Sequence, residues 1–168
     1  MREIGLDQIS LRNVKPQDMQ FLDKWYSMGD ELGYATGFKS FREVRERIMS
    51  YPMVSMIIAL ADDRAVGLIC YETRNLGGKK VVWVHIIIVD PAWQSRGIGT
   101  RAVARLLDFF EARGYSDVMA SVSCQNKRGL RFWEGLGFTR SPAMERALDA
   151  SGTSGVAIMR KNLAENQA

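Results

Sequence analysis

VDPAWQSRGIGTRAV, Val89 to Val103, leaves a strongly apolar run and enters a segment with helical periodicity. The reading of the chain turns on its Gly97-Ile98-Gly99 core. Glycines at a helix start let backbone N–H groups approach an anion, and the helix dipole favours negative charge there. Each also lowers helix propensity by about 1 kcal/mol relative to alanine, so two in a first turn point to a use. Upstream, VVWVHIIIV (Val81 to Val89) is apolar on both faces and predicts a central strand covered above and below. Downstream, Ile98, Ala102, Leu106 and Phe110 recur at i+4 with Val103 and Leu107 beside them, and Gly114 predicts the helix stop.

Outward from this junction, Ile9 to Val14 reads as a first strand, and Pro16 opens a helix with Met19, Leu22, Trp25 and Tyr26 on one face. Ser40 suits the cap of a second helix, Phe41 to Met49, ending before Pro52. Met53 to Ala61, Ala65 to Thr73 and Lys80 to Val89 form an antiparallel meander, turning at Asp62-Asp63 and at Asn75 to Gly78. Val118, Ala120, Val122 and Cys124 alternate as another strand. A short helix, Asn126 to Leu136, then turns at Gly137-Phe138 into a return strand, and Val156 to Lys161 closes the chain. The fold class is α+β (mixed α/β), a mixed sheet of about seven strands flanked by about four helices in the order β-α-α-β-β-β-α-β-α-β-β.

With 168 residues, 46% hydrophobic and 25% charged, the chain fits a single domain over residues 1–168. Its start lacks the basic-then-apolar layout of a signal peptide, and no apolar run is long enough to span a bilayer, so the expectation is a soluble, cytoplasmic protein without membrane contact. Cys70 and Cys124 both fall in apolar patterns and read as reduced core thiols. One histidine and no Cys-x-x-Cys argue against a metal site. The net charge of +4 favours an anionic ligand, but acids interrupt the basic residues, as in Phe41 to Arg47, which speaks against nucleic acid.

Gly97 to Ala102 matches the string of a dinucleotide-binding fingerprint, with Asp117 near the expected offset of the ribose-binding acid. The context rejects it: Asp90 to Arg96 separate the strand from the first glycine, and Asp117 precedes its strand. The phosphate-loop pattern fails because no Gly-Lys-Ser/Thr follows.

Val89-Asp90-Pro91-Ala92-Trp93-Gln94-Ser95-Arg96-Gly97-Ile98-Gly99 resembles the V-x-P-x-x-[QR]-x-x-G-x-[GA] signature of the GNAT acyltransferase superfamily. Asn126 to Phe138 resembles that family's N-x-x-A-x-x-[FY]-[YF]-x-x-x-G-F block, and the element order agrees from Ile9 to Lys161. The resemblance implies acetyl-CoA (an acyl-coenzyme A) as cofactor and an N-acetyltransferase that moves its acyl group to a primary amine by direct attack in a ternary complex. It further implies that Ile87, Ile88 and Val89 hold the pantetheine arm, that the amides of Ser95, Arg96, Gly97, Ile98, Gly99 and Thr100 hold the pyrophosphate, and that Gln94 is also cofactor-binding. Asn126 would hold the arm from the far side, with Trp133 at the family's usual tyrosine position.

An indole is no proton source at ordinary pH, so the family's usual acid fails at Trp133. Ser121, Ser123, Tyr115 or water remain as donors to a thiolate whose acid, with a pKa of about 8.5, asks for little help. Deprotonating a lysine-like amine costs roughly 4 kcal/mol at neutrality, whereas an α-amino group needs little assistance. His85 is the sharpest base candidate: it shares strand parity with Trp83, Ile87 and Val89 and lies nine residues before Gln94. A core histidine bonded to a neighbour is the competing reading, and Glu72 is the second base candidate. The acceptor, a small-molecule or peptide amine, would be read by Met28 to Lys39 and Ser141 to Gly155, where Asp30, Glu31 and Glu145 place carboxylates. Pairing through the late strands offers a route to a homodimer. The alternative function is a non-catalytic acyl-CoA-binding or regulatory domain, for which Trp133 is the motive.

Overall fold

A strand that is apolar on both faces can be stable only where helices cover both sides of its sheet, and that requirement puts Val81 to Val89 at the centre. The structure, a computed structural model, describes residues 8–27, 46, 49–50, 52–150 and 155–164. Its strands are β1 (Ser10–Asn13), β2 (Val54–Ala59), β3 (Ala65–Leu76), β4 (Lys79–Val89), β5 (Asp117–Ser123), β6 (Thr139–Arg140) and β7 (Val156–Asn162). Its helices are α1 (Met19–Ser27), α2 (Ile98–Glu111), α3 (Lys127–Gly135) and α4 (Pro142–Ala150). The strands form one sheet in the order β1-β2-β3-β4-β5-β7-β6, antiparallel throughout except where β4 meets β5.

The meander β2-β3-β4 and the strand–helix junction at Gly97 stand where the periodicity puts them, and α2 buries Ile98, Ala102, Val103, Leu106 and Phe110. The expected order gains one element. Within Ser141 to Gly155, read as a loop, Pro142–Ala150 is helical, because Met144 and Leu148 pack at i+4 onto Trp83, Met119 and Ile158. The expected helix Phe41 to Met49 and its cap Ser40 lie almost wholly outside the described residues, as do Asp30 and Glu31. Cys124 is corrected from a core thiol to a half-buried one just past the end of β5, while Cys70 is buried and its thiol is pushed up to about 12 by that burial. Among the described residues no helix is long and apolar enough to cross a membrane.

Two layers cover the sheet. On one face α2 and α3 pack over Val82, Val84, Val118, Ala120 and Val122. On the other, α1 covers Ile57, Leu68, Cys70, Ile86 and Ile88, and α4 covers Val81, Trp83 and Met119. Val84 and Ile86 thus face opposite ways although two residues apart, because the register slips where Cys70 pairs with Ile86 and Tyr71 with Val84. The residue skipped is His85, so β4 carries a β-bulge there. The expected parity of His85 with Ile87 and Val89 is therefore corrected: the bulge keeps His85 on the Trp83 side and turns Ile87 toward α2.

Asp90 fastens the end of β4 to α1. Its Oδ2 accepts from Trp25 Nε1 at 2.8 Å, its Oδ1 from Ala92 N at 2.9 Å, and the Trp25 side chain is wholly buried. Burial acts to raise the Asp90 carboxyl, but the Trp25 and Ala92 N–H donors and the Lys24 ammonium outweigh it and hold the group below its ordinary value. The folded state thus gives up this proton more readily than the unfolded chain, so the contribution is full above the ordinary carboxylate range and fades as pH falls through and below it. Trp25→Phe is expected to cost about 2–3 kcal/mol at pH 7 by loss of a hydrogen bond to a charged group and of packing volume. Chemical unfolding should show the cost shrinking as pH falls below the ordinary carboxylate range and the folded carboxyl takes up its proton; a cost that does not change with pH across that fall would exclude the charged hydrogen bond as its source.

Candidate functional site

β4 and β5 pair in parallel over only four residues, Val81 to Val84 with Asp117 to Ala120, and then part. β5 goes on pairing with β7, while among the described residues no strand lies along the β5-facing edge of β4 from His85 to Val89. Backbone polar groups on such an edge call for another partner. The gap widens into a cleft of about 410 Å³, floored by β4 and walled by the Trp93–Thr100 loop and helix start, by Ser121 and Val122, and by the first turns of α3.

The loop entering α2 is shaped for an anion. Ser95 and Gly97 both have positive φ, 61° and 78°, and no side chain caps the first turn of α2. The opening N–H groups of that helix therefore stand at the cleft with the positive end of the dipole behind them. The two glycines serve different ends. A Cβ on Gly97 would meet nothing within 4 Å, so its requirement is the left-handed backbone. A Cβ on Gly99 would come within 3.2 Å of the Phe132 ring, so that glycine lets α2 and α3 approach.

Of the residues expected to hold a cofactor, Ile87, Ile88, Val89, Gln94, Ser95, Gly97, Ile98, Gly99, Thr100, Asn126 and Trp133 line this cleft. Arg96 does not; its guanidinium lies 4.8 Å from the Trp93 ring centroid. Gln94 Nε2 donates to Val89 O at 3.0 Å and its Oε1 accepts from Arg128 Nη1 at 2.9 Å, a polar bridge from β4 to α3. Asn126 Oδ1 accepts from Gly129 N at 2.8 Å and so caps α3. Trp133 lines the cleft while buried against Phe138, with ring centroids 4.8 Å apart.

On the opposite wall, His85 lines the cleft and Glu72 stands behind it, His85 Nε2 lying 2.7 Å from Glu72 Oε1. Burial would raise the Glu72 carboxyl, but hydrogen bonds from Arg74 and His85 outweigh it and keep the group below its ordinary value. Trp83 Nε1 donates to Ser121 Oγ. Of the candidate proton donors, Ser121 lines the cleft, whereas Tyr115 is packed on Phe110 and Ser123 is not among the lining residues. Asp117, dismissed as a ribose ligand, is buried in an ion pair with Arg160.

Trp93, Arg128 and Phe132 also line the cleft and were missed from the sequence. Arg128 and Phe132 fall inside the Asn126–Phe138 block, at positions three and seven of it, so their placement on α3 was the available signal. Arg74 offered none, since its link to Glu72 depends on two side chains of one β3 face reaching the same group.

The sequence pattern of the acetyltransferase (GNAT) family matches residues 19–138. Among curated proteins, an uncharacterised N-acetyltransferase of Methanocaldococcus jannaschii is 27% identical over 135 residues, 77% of this chain and 60% of that one. The N-alpha-acetyltransferase RimI of Mycobacterium tuberculosis is 40% identical over 77 residues, 46% of this chain and 47% of that one. The chain thus spans less than two thirds of the length of these relatives. Among solved structures, a spermidine N-acetyltransferase from Vibrio cholerae in complex with CoA and spermine superimposes with a TM-score of 0.71 at 17% identity, covering 96% of this chain and 99% of that one, a likeness of fold. The family match runs from α1 to the turn after α3 and takes in the parted strands, the glycine loop and the capped third helix, and on that basis the chain belongs to the GNAT acetyltransferase family.

Proposed function

We propose that this protein is an acyl-CoA-dependent N-acyltransferase that moves an acetyl group from acetyl-CoA to a primary amine. The observation that carries the reading is the pairing of an open β4 edge with an uncapped, glycine-bent helix start in one cleft. A chain of amides ending in phosphates matches both: its amides suit the strand edge and its phosphates the N–H groups of α2. When bound, the acyl-CoA supplies a thioester electrophile and a thiol leaving group.

The chain's own residues account for the protons. A neutral His85 that donates Nε2–H to Glu72 presents Nδ1 as its basic nitrogen, toward an acceptor amine or a water between them. Glu72, bonded to two donors and held below its ordinary value, orients His85 rather than acting as the base. Ser121, accepting from Trp83 Nε1, keeps its own O–H to give to a departing thiolate.

The relatives' names include both a polyamine and an α-amine substrate class. The α-amine asks about 3–4 kcal/mol less of the base at neutrality. Glu145, one of the carboxylates on the acceptor-reading segments, is paired with Arg140 rather than left for a polycation. An α-amino acceptor on a peptide or small molecule is therefore the favoured reading.

Isothermal titration with acetyl-CoA and free coenzyme A, followed by thiol release over an amine panel, tests the function. Binding with turnover is the expected result; binding without turnover on any amine favours the regulatory domain, and no binding removes the reading of the cleft. Gly97→Ala, which must hold a left-handed residue at about 1–2 kcal/mol, should weaken acetyl-CoA binding by about five- to thirtyfold. Unchanged affinity would mean that the loop does not touch the ligand. His85→Gln should lower kcat/KM by tenfold or more at pH 7 and abolish its acid limb, whereas wild-type kinetics from pH 6 to 9 would remove His85 from the mechanism.

A further inference from the structure

Oxygen Oε1 of Glu72 is shared. Arg74 Nη2, two residues along β3, donates to it, and His85 Nε2 lies 2.7 Å from the same atom. The Arg74 guanidinium also sits 4.7 Å from the Trp83 ring centroid, and the Trp83 and His85 rings are stacked at 6.0 Å with only 7° between their planes. Although its side chain is 41% exposed, Arg74 is thus fixed from two sides, by a carboxylate and by an indole face. Nothing in the acyl transfer itself requires a cation there.

We propose that Arg74 is a positioning residue that sets the basicity of His85 by competing for the Glu72 carboxylate. The proposal rests on the reading of His85 as the base. A carboxylate bonded to an imidazole favours the protonated ring, and an unshared one at this distance raises the imidazole's pKa by about 1–3 pH units. A guanidinium on the same oxygen offsets that field, so His85 stays able to shed a proton near neutrality and return to work as a base. The orienting hydrogen bond is kept while the charge behind it is largely cancelled.

Among the described residues, the groups that face His85 are consistent with this control by Arg74. β3 contributes Glu72 and Arg74, β4 contributes Trp83, and β5 contributes the neutral Ser121 through Trp83. Above Trp83, α4 presents Met144 and Leu148, and its Glu145 is paired with Arg140.

His85 is the one histidine of the sequence, so its titration can be followed by NMR in the whole protein without any substrate. Arg74→Met should move the His85 midpoint upward by about one pH unit, the low end of the range because the site is part-exposed and screened by salt. Arg74→Gln, which keeps a donor and loses the charge, should move it the same way; Arg74→Lys should restore most of the wild-type value, and Glu72→Gln should move it downward. A midpoint that stays still or falls in both Arg74→Met and Arg74→Gln would overturn the proposal. On the acid limb of kcat/KM, Arg74→Met should lose about tenfold at fixed pH and recover on the plateau. A moved NMR midpoint with an unmoved limb upholds the tuning of His85 and overturns His85 as the base, so the two failures are separable.

Discussion

The parting of β4 from β5 after four paired residues is the constraint on which everything at the site depends. Parallel pairing is maintained only as far as Val84 and Ala120, and beyond that point β5 follows β7. An exposed row of backbone donors and acceptors is costly inside a protein, and a fold retains one where a partner will come. The helix beside the gap begins with an uncapped turn, so an open strand edge and an uncapped helix start face the same space. Asp90 keeps them in register, because it ends β4, caps the following turn and is anchored to the buried indole of α1.

The bulge at His85 sits at the point of parting and has a second consequence. A regular strand would have sent His85 and Ile87 to the same face. With one residue inserted, His85 stays beside Trp83 and Glu72 on the α4 side, and the following residues resume alternation with Ile87 toward α2 and Ile86 and Ile88 toward α1. The strand thereby presents a polar wall and an apolar floor to one cleft. Bulges recur where a strand must re-aim side chains at a site, and here the re-aimed residues are Ile87 and Val89, while the chain's one imidazole keeps the face of Trp83.

Much of this was legible in the sequence because the signals were strong and local. Ile98, Ala102, Leu106 and Phe110 keep helical spacing through a full face, and Val81 to Val89 is apolar on both sides, so α2 and the central strand admitted no other reading. The bulge was not legible, since VVWVHIIIV carries no glycine or break to mark a slipped register; only its pairing with β3 shows it. The helix Pro142–Ala150 was missed because two apolar residues, Met144 and Leu148, carry its packing, although Pro142 at its first position was a usable sign. Sharing of Glu72 by Arg74 and His85 is a relation in space between two strands and has no linear signature.

Trp133 illustrates how a departure from a family pattern can be absorbed. Its indole is buried against Phe138 and cannot act as an acid, so any help for a leaving thiolate has to come from elsewhere in the cleft. The demand is small, because a thiol with a pKa of about 8.5 leaves readily as thiolate near neutrality, and a hydrogen bond is enough to favour the charge as it forms. In the proposed function Ser121 would meet it from β5, one residue past the last parallel pair, with its oxygen already occupied as an acceptor for Trp83 Nε1. Trp83 therefore touches both groups to which the proposed function gives a proton task, stacked on the imidazole and bonded to the hydroxyl, and it holds the two on one wall. With a buried tryptophan as the common support, the geometry of imidazole and hydroxyl is set by the sheet, and Trp133 contributes an apolar, packed wall to the same cleft.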